Sequence, residues 1–123
     1  PVIASGDIDT PGEAARVMRE TGATAIAIGR PAFGNPWLFR DVLDASAARV
    51  RPLPEVVEEV RRFAEDVRDV LGATRGCAYM RKFYPWYLAG HDVPVAERQE
   101  LLLAPSLDDA LLLLTRIFER SAG

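Results

Sequence analysis

The sequence predicts a mixed α/β chain: a short parallel βαβα segment that reads as the end of a repeating β/α architecture, followed by an all-α helical bundle, and mostly helical in total. Three observations predict this. Two apolar runs, PVIAS at 1–5 and ATAIAIG at 23–29, flank a single helical pattern at 11–22. Pro52 and Pro54 then punctuate the chain, and from Glu55 onward only helical periodicity remains. The division falls into residues 1–51 and 52–123.

The first run is a short strand, and GDIDT after it is rich in turn residues. In PGEAARVMRETG, Thr10 is placed to cap a helix, Pro11 takes its first position, Glu13 follows three residues after the cap, and Gly22 is the stop. The second run is apolar without alternation, the pattern of a parallel strand covered on both faces. Two strands cannot by themselves build a sheet with buried faces. The segment is therefore expected to be incomplete, and the start on Pro1 in place of Met is expected of a processed chain or a piece of a longer one.

In the second half, PEVVEEVRRFAEDVRDVLG places Val56, Val60, Phe63, Val67 and Val70 on one face, joined by Val57, Ala64 and Leu71. A second helix is expected from about Thr74 to Ala89, with Gly90 as its stop. VPVAERQELLLA supplies a third. SLDDALLLLTRIFER supplies a fourth, with Ser106 as N-cap and Asp108 and Asp109 in the first turn, where the helix dipole favours them. Four such helices make a small bundle.

Composition narrows the function classes. The 123 residues are 49% hydrophobic and 27% charged, enough for one modest core. No run approaches the roughly 18 apolar residues of a spanning helix, and the first residues lack a secretory pattern, so no membrane is expected and a cytoplasmic location is. One cysteine, Cys77, excludes an internal disulfide and any multi-cysteine metal site, and the single His91 removes most other metal options. His91 reads as an exposed loop residue. A net charge of -3 gives no global pull toward nucleic acid, so such binding would need a local patch.

Both strands end in the same kind of chemistry. SGD follows the first and GR the second, and in parallel β/α folds ligands sit beyond the carboxyl ends of the strands. Glycine lets a phosphate approach the backbone, and arginine supplies a forked cation. Glycines also make tight turns for conformational reasons alone. Paired loops with an arginine favour a phosphate held between them.

VIASGDI, then AIAIGRPAFGNPWLF, then MRKFYPWYLAG together resemble the carboxyl-terminal portion of a bacterial tRNA-dihydrouridine synthase, most like the DusB-type members. The resemblance covers nearly the whole chain but only the last two strands of a TIM barrel, followed by the helical domain. It implies that Ser5, Gly6 and Asp7 contact FMN after the seventh strand, and that Gly29 and Arg30 contact the FMN phosphate after the eighth. Ser5 departs from the family, where an Asn is common. The reaction implied is reduction of FMN by NADPH, then hydride transfer to the C5=C6 bond of a uridine in tRNA, with a cysteine as proton donor. In the family that cysteine lies far upstream of the segment matched by Pro1. Cys77 does not take its role and reads as a small core residue, so no catalytic residue is assigned and the chain alone is expected to be inactive.

The tail interleaves Arg75, Arg81 and Lys82 with Tyr79, Phe83, Tyr84, Trp86 and Tyr87. Basic residues neutralise phosphates and aromatics stack on unpaired bases. Tyr79, Phe83 and Trp86 fall at helical spacing and are expected in the bundle core. Arg75, Arg81 and Lys82 are the candidates for tRNA contact, which the resemblance favours, although Phe83 stands where the family often has His. Two other readings stay open. One is a non-catalytic helical module binding RNA or protein, with a vestigial phosphate loop. The other is a different phosphate-binding barrel, against which the helical tail argues. Exposed strands invite pairing with another chain, so the first fifty residues are expected to be disordered, rearranged or swapped between copies.

Overall fold

In the computed structural model, which describes residues 1–6, 8–45 and 50–123, β1 (Ile3–Ser5) and β2 (Ala25–Ala27) pair in parallel, Ile3 opposite Ala25 and Ser5 opposite Ala27. Between them runs α1 (Pro11–Thr21). Its start is built as its residue types dictate: the Thr10 hydroxyl accepts from the Glu13 amide at 3.1 Å, and Pro11 sits where no amide is needed. Gly22, at φ 66, ends it, with its amide donating to the Met18 carbonyl. After β2 a single 3-10 turn, Arg30–Ala32, leads to the short α2 (Leu38–Leu43). These elements belong to a unit of residues Pro1–Val50, whose buried side chains include Ile8, Ala14, Ala23 and Leu38.

The strands depart from expectation in one respect. Ala25 and Ala27 are exposed, as is Ile3, and only the alternate positions Ala4 and Ile26 are partly covered. Successive strand side chains point to opposite faces, and among the described residues α1 packs on the pair while nothing covers the other face. Nor is the segment rearranged: it takes an ordinary parallel pairing across a helix.

The second unit, Arg51–Gly123, is all helix. Its first helix, α3 (Leu53–Met80), is kinked at Gly72, whose φ of 81 and ψ of 170 are not helical. Then come α4 (Tyr84–Leu88), α5 (Val95–Leu103) and α6 (Leu107–Ala122). Ser106 caps α6 by accepting from the Asp109 amide at 3.2 Å. The long helices α3 and α6 pack along each other. Val57, Val60, Ala64, Leu107, Leu114 and Ile117 are essentially inaccessible, and each large side chain so buried contributes about 1.5–3 kcal/mol. Arg68 and Asp108 join α3 to α6 at 2.9 Å. Arg116 with Glu100, and Arg120 with Glu97, join α6 to α5. As largely exposed pairs these add little to the apolar seam.

Two helical expectations are corrected. The helix from Thr74 does not run to Ala89: it ends at Met80, the Phe83 amide turns back to the Met80 carbonyl at 2.9 Å, and α4 begins anew. Pro85 is the physical reason, since it lacks an amide and its ring clashes with the carbonyl four residues earlier. Val70 is 81% exposed, not on the buried face, because it sits at the margin of the stripe next to the Gly72 kink.

Candidate phosphate site and basic aromatic surface

Because β1 and β2 are parallel and in register to Ser5 and Ala27, the loops after them leave the sheet side by side. Ser5, Gly6 and Asp9 from the first loop, and Gly29, Arg30 and Pro31 from the second, line one open cleft of about 870 Å³. Four of the five residues singled out for FMN are thus brought together. Asp7 lies outside the described residues.

The cleft suits an anion by its donors. Gly6 has φ 140, a conformation that favours glycine. A Cβ at either Gly6 or Gly29 would meet no heavy atom within 4 Å, so both backbones are open to approach. Arg30 is exposed and pairs with no carboxylate among the described residues. Its neighbours the Ser5 hydroxyl and the loop amides add donors of the kind a phosphate needs. Asp9 also lines the cleft.

These observations meet an independent one. The family described as Dihydrouridine synthase (Dus) matches residues 1–119. The chain belongs to the Dus family. Among similar proteins, a tRNA-dihydrouridine synthase B of Xanthomonas axonopodis pv. citri is 38% identical over 120 residues, covering 94% of this chain and 36% of that protein. A tRNA-dihydrouridine synthase B of Vibrio cholerae is 33% identical over 127 residues, covering 100% and 39%. A probable tRNA-dihydrouridine synthase of Mycobacterium leprae is 36% identical over 121 residues, covering 95% and 32%. This Dus-family chain spans about a third of the length of the curated relatives it matches.

In the helical unit of the Dus-family chain the candidate cations have different surroundings. Arg75 and Lys82 are exposed. The Lys82 ammonium lies 4.6 Å from the centre of the Tyr79 ring and 5.1 Å from that of Phe83. Arg81 is exposed too, but its Nη2 donates to the Ala104 carbonyl at 3.4 Å and lies 3.8 Å from Cys77 Sγ. It therefore serves the end of α5. Cys77 is buried, as read from the sequence. His91 is half-buried, not exposed, and its carbonyl accepts from Arg98 at 2.5 Å. Among the described residues no three His, Cys, Asp or Glu side chains converge as a metal site, and no helix is long and apolar enough to cross a membrane.

The aromatics are where sequence reasoning erred. Tyr79 and Trp86, expected in the core, are 40% and 45% exposed, while Tyr84 and Tyr87 take the buried places. The helical spacing assumed for Tyr79, Phe83 and Trp86 does not survive the break at 81–83. Pro85 was the signal that could have shown it.

Proposed function

We propose that this chain forms the FMN-phosphate end and the tRNA-binding helical unit of a tRNA-dihydrouridine synthase. In this reading residues 1–51 are the last two β/α units of a TIM barrel and residues 52–123 the helical tRNA-binding domain. The observation that carries it is the single cleft shared by Ser5, Gly6, Gly29 and Arg30, on a chain whose relatives bear that enzyme's name.

Gly6 and Gly29 admit the phosphate to the backbone, and Arg30 balances its charge with a forked donor set. The Ser5 hydroxyl orients an ester or phosphate oxygen. Bound there, FMN reduced by NADPH would supply a hydride to the C5=C6 bond of a uridine in tRNA, with the second hydrogen arriving as a proton from an acid outside these residues. Arg75 and Lys82 neutralise tRNA phosphates, and Arg81 holds the adjoining backbone. Cys77, buried and bonded to a carbonyl, is no proton donor to substrate, so the chain by itself turns over no uridine. The uncovered strand faces further suit association of one copy with another.

The test is titration of the chain with FMN and with riboflavin, which lacks the phosphate, followed by flavin fluorescence. FMN is expected to bind more tightly, and Arg30→Ala to erase the difference. Equal binding of both flavins by the parent chain, or binding of neither, would remove the phosphate assignment.

A further inference from the structure

The surface of the second unit carries a run of rings in edge and tilted contact. Phe63 meets Phe83 with centroids 5.0 Å apart, Tyr79 meets Phe83 at 5.3 Å, and Phe83 meets Trp86 at 5.8 Å. Tyr84, in the same stretch, is covered by its neighbours at 2% exposure. Tyr79 and Trp86, at the two ends of the run, are 40% and 45% exposed.

The stretch that carries the exposed rings is basic in sequence, whereas Glu59 acts on Tyr87, which lies against Phe63 at the inner end of the run. Between Val70 and His91 the sequence has Arg75, Arg81 and Lys82 and no carboxylate, in a chain of net charge -3. Arg75 lies one helical turn before Tyr79, on the same face of α3. Lys82 lies over the Tyr79 and Phe83 rings, so a cation is held within a few ångströms of the exposed π-surface. An apolar protein partner would need neither cation. A nucleotide with an unpaired base needs both features: a ring on which the base can lie and a cation for its phosphate.

We propose that Tyr79 and Trp86, braced by Phe83 and Phe63, form a stacking platform for an unpaired nucleotide of the RNA. The inference rests on the tRNA reading above and deepens it, because it makes this unit a reader of single-stranded or looped RNA as well as of backbone charge. Phe83 is a positioning residue: it touches both Tyr79 and Trp86 and fixes their spacing.

The experiment uses the whole chain with Trp37→Phe, which leaves Trp86 as the sole tryptophan. A single-stranded oligouridylate and a blunt RNA duplex of the same length are titrated in turn while Trp86 fluorescence is followed. Quenching by the single strand is expected, with little by the duplex. Tyr79→Leu and Trp86→Leu, read by anisotropy of labelled RNA, are expected to weaken single-strand binding about tenfold and leave its salt dependence unchanged. Arg75→Ala and Lys82→Ala are expected to lower the salt slope. Circular dichroism confirms that each variant is folded.

Ring variants that bind like the parent, while the cation variants bind weakly, would overturn the platform and leave the tRNA reading standing. Ring variants that bind RNA normally but change the sedimentation of the chain would assign the surface to a second copy and overturn it equally. Failure of the parent to bind any RNA would overturn both the platform and the tRNA contact.

Discussion

The thiol of Cys77 donates to the Ala104 carbonyl at 3.1 Å, across the gap between α3 and the end of α5. Ala104 closes α5, so its carbonyl has no intrahelical partner, and the thiol and Arg81 supply donors. Cys77→Ala removes one donor and leaves a small void. A loss of about 1–2 kcal/mol is expected from urea unfolding. The native thiol should resist a disulfide reagent until denaturant is added. Immediate labelling of the native chain would contradict the buried, structural role.

Two glycines of α3 should fail for different reasons. At Gly72 a Cβ would meet nothing within 4 Å, but the backbone lies in a region that is essentially glycine's alone. Gly72→Ala should cost about 1–3 kcal/mol through conformation. At Gly76 the space is filled: a Cβ would lie 2.9 Å from Leu107 Cδ2 and 3.1 Å from Val67 Cγ1. Overpacking of about 1–3 kcal/mol there opposes a helix-propensity gain of about 1 kcal/mol. Gly76→Val, which adds bulk and little propensity, should be worse than Gly76→Ala. If both Gly76 variants were as stable as the parent in urea, the α3–α6 contact would be looser than described.

The Tyr84 hydroxyl is buried with no hydrogen-bond partner among the described residues. Burial pushes its phenol well above the usual range, Cys77 adds to the rise, and Arg81 opposes it. The folded state thus holds a proton that the unfolded chain releases near pH 10. Stability from this group is fully present below the unfolded pKa and falls as pH rises above it toward the folded value. Tyr87, raised by burial and then by Glu59, acts in the same direction. Tyr84→Phe should stabilise the chain by about 1 kcal/mol at neutral pH and flatten the alkaline loss. A destabilised phenylalanine variant would mean that the hydroxyl has a partner.

At the start of α6 the Ser106 hydroxyl accepts from the Asp109 amide and donates to the Asp109 carboxylate at 2.8 Å. Ser106→Ala should cost about 1 kcal/mol, and Ser106→Thr, which keeps a hydroxyl that can both accept and donate, should retain most of the cap. The urea midpoints of the three chains decide this. Equal midpoints for alanine and serine would show that packing of Leu107 alone holds the helix start.

Val2, just before β1, and Ile3, its first residue, are 65% and 67% exposed. Exposed apolar strands recruit other strands, so the chain should associate as concentration rises. Val2→Lys with Ile3→Lys should shift sedimentation toward the monomer. A parent chain that stays monomeric at high concentration would leave these strands without that role.

Local chemistry was legible in advance. Thr10, Pro11 and Gly22 marked both ends of α1, Ser106 marked the start of α6, and Ser5, Gly6, Gly29 and Arg30 lie along one cleft, because caps and turns depend on residues within a few positions of one another. Pro52 and Pro54 stand just inside the start of the second unit, Arg51–Gly123. What the tertiary structure decided was which side of each apolar pattern is covered. Val70 and Tyr84 show this most clearly: the first lies beside a kink and faces out, and the second lies in a helix that restarts after residues 81–83 and faces in. Periodicity measures spacing along one unbroken helix, so each break resets the phase. It follows that the exposed pair Tyr79 and Trp86 could be located only once α3, α4 and their neighbours were placed against one another.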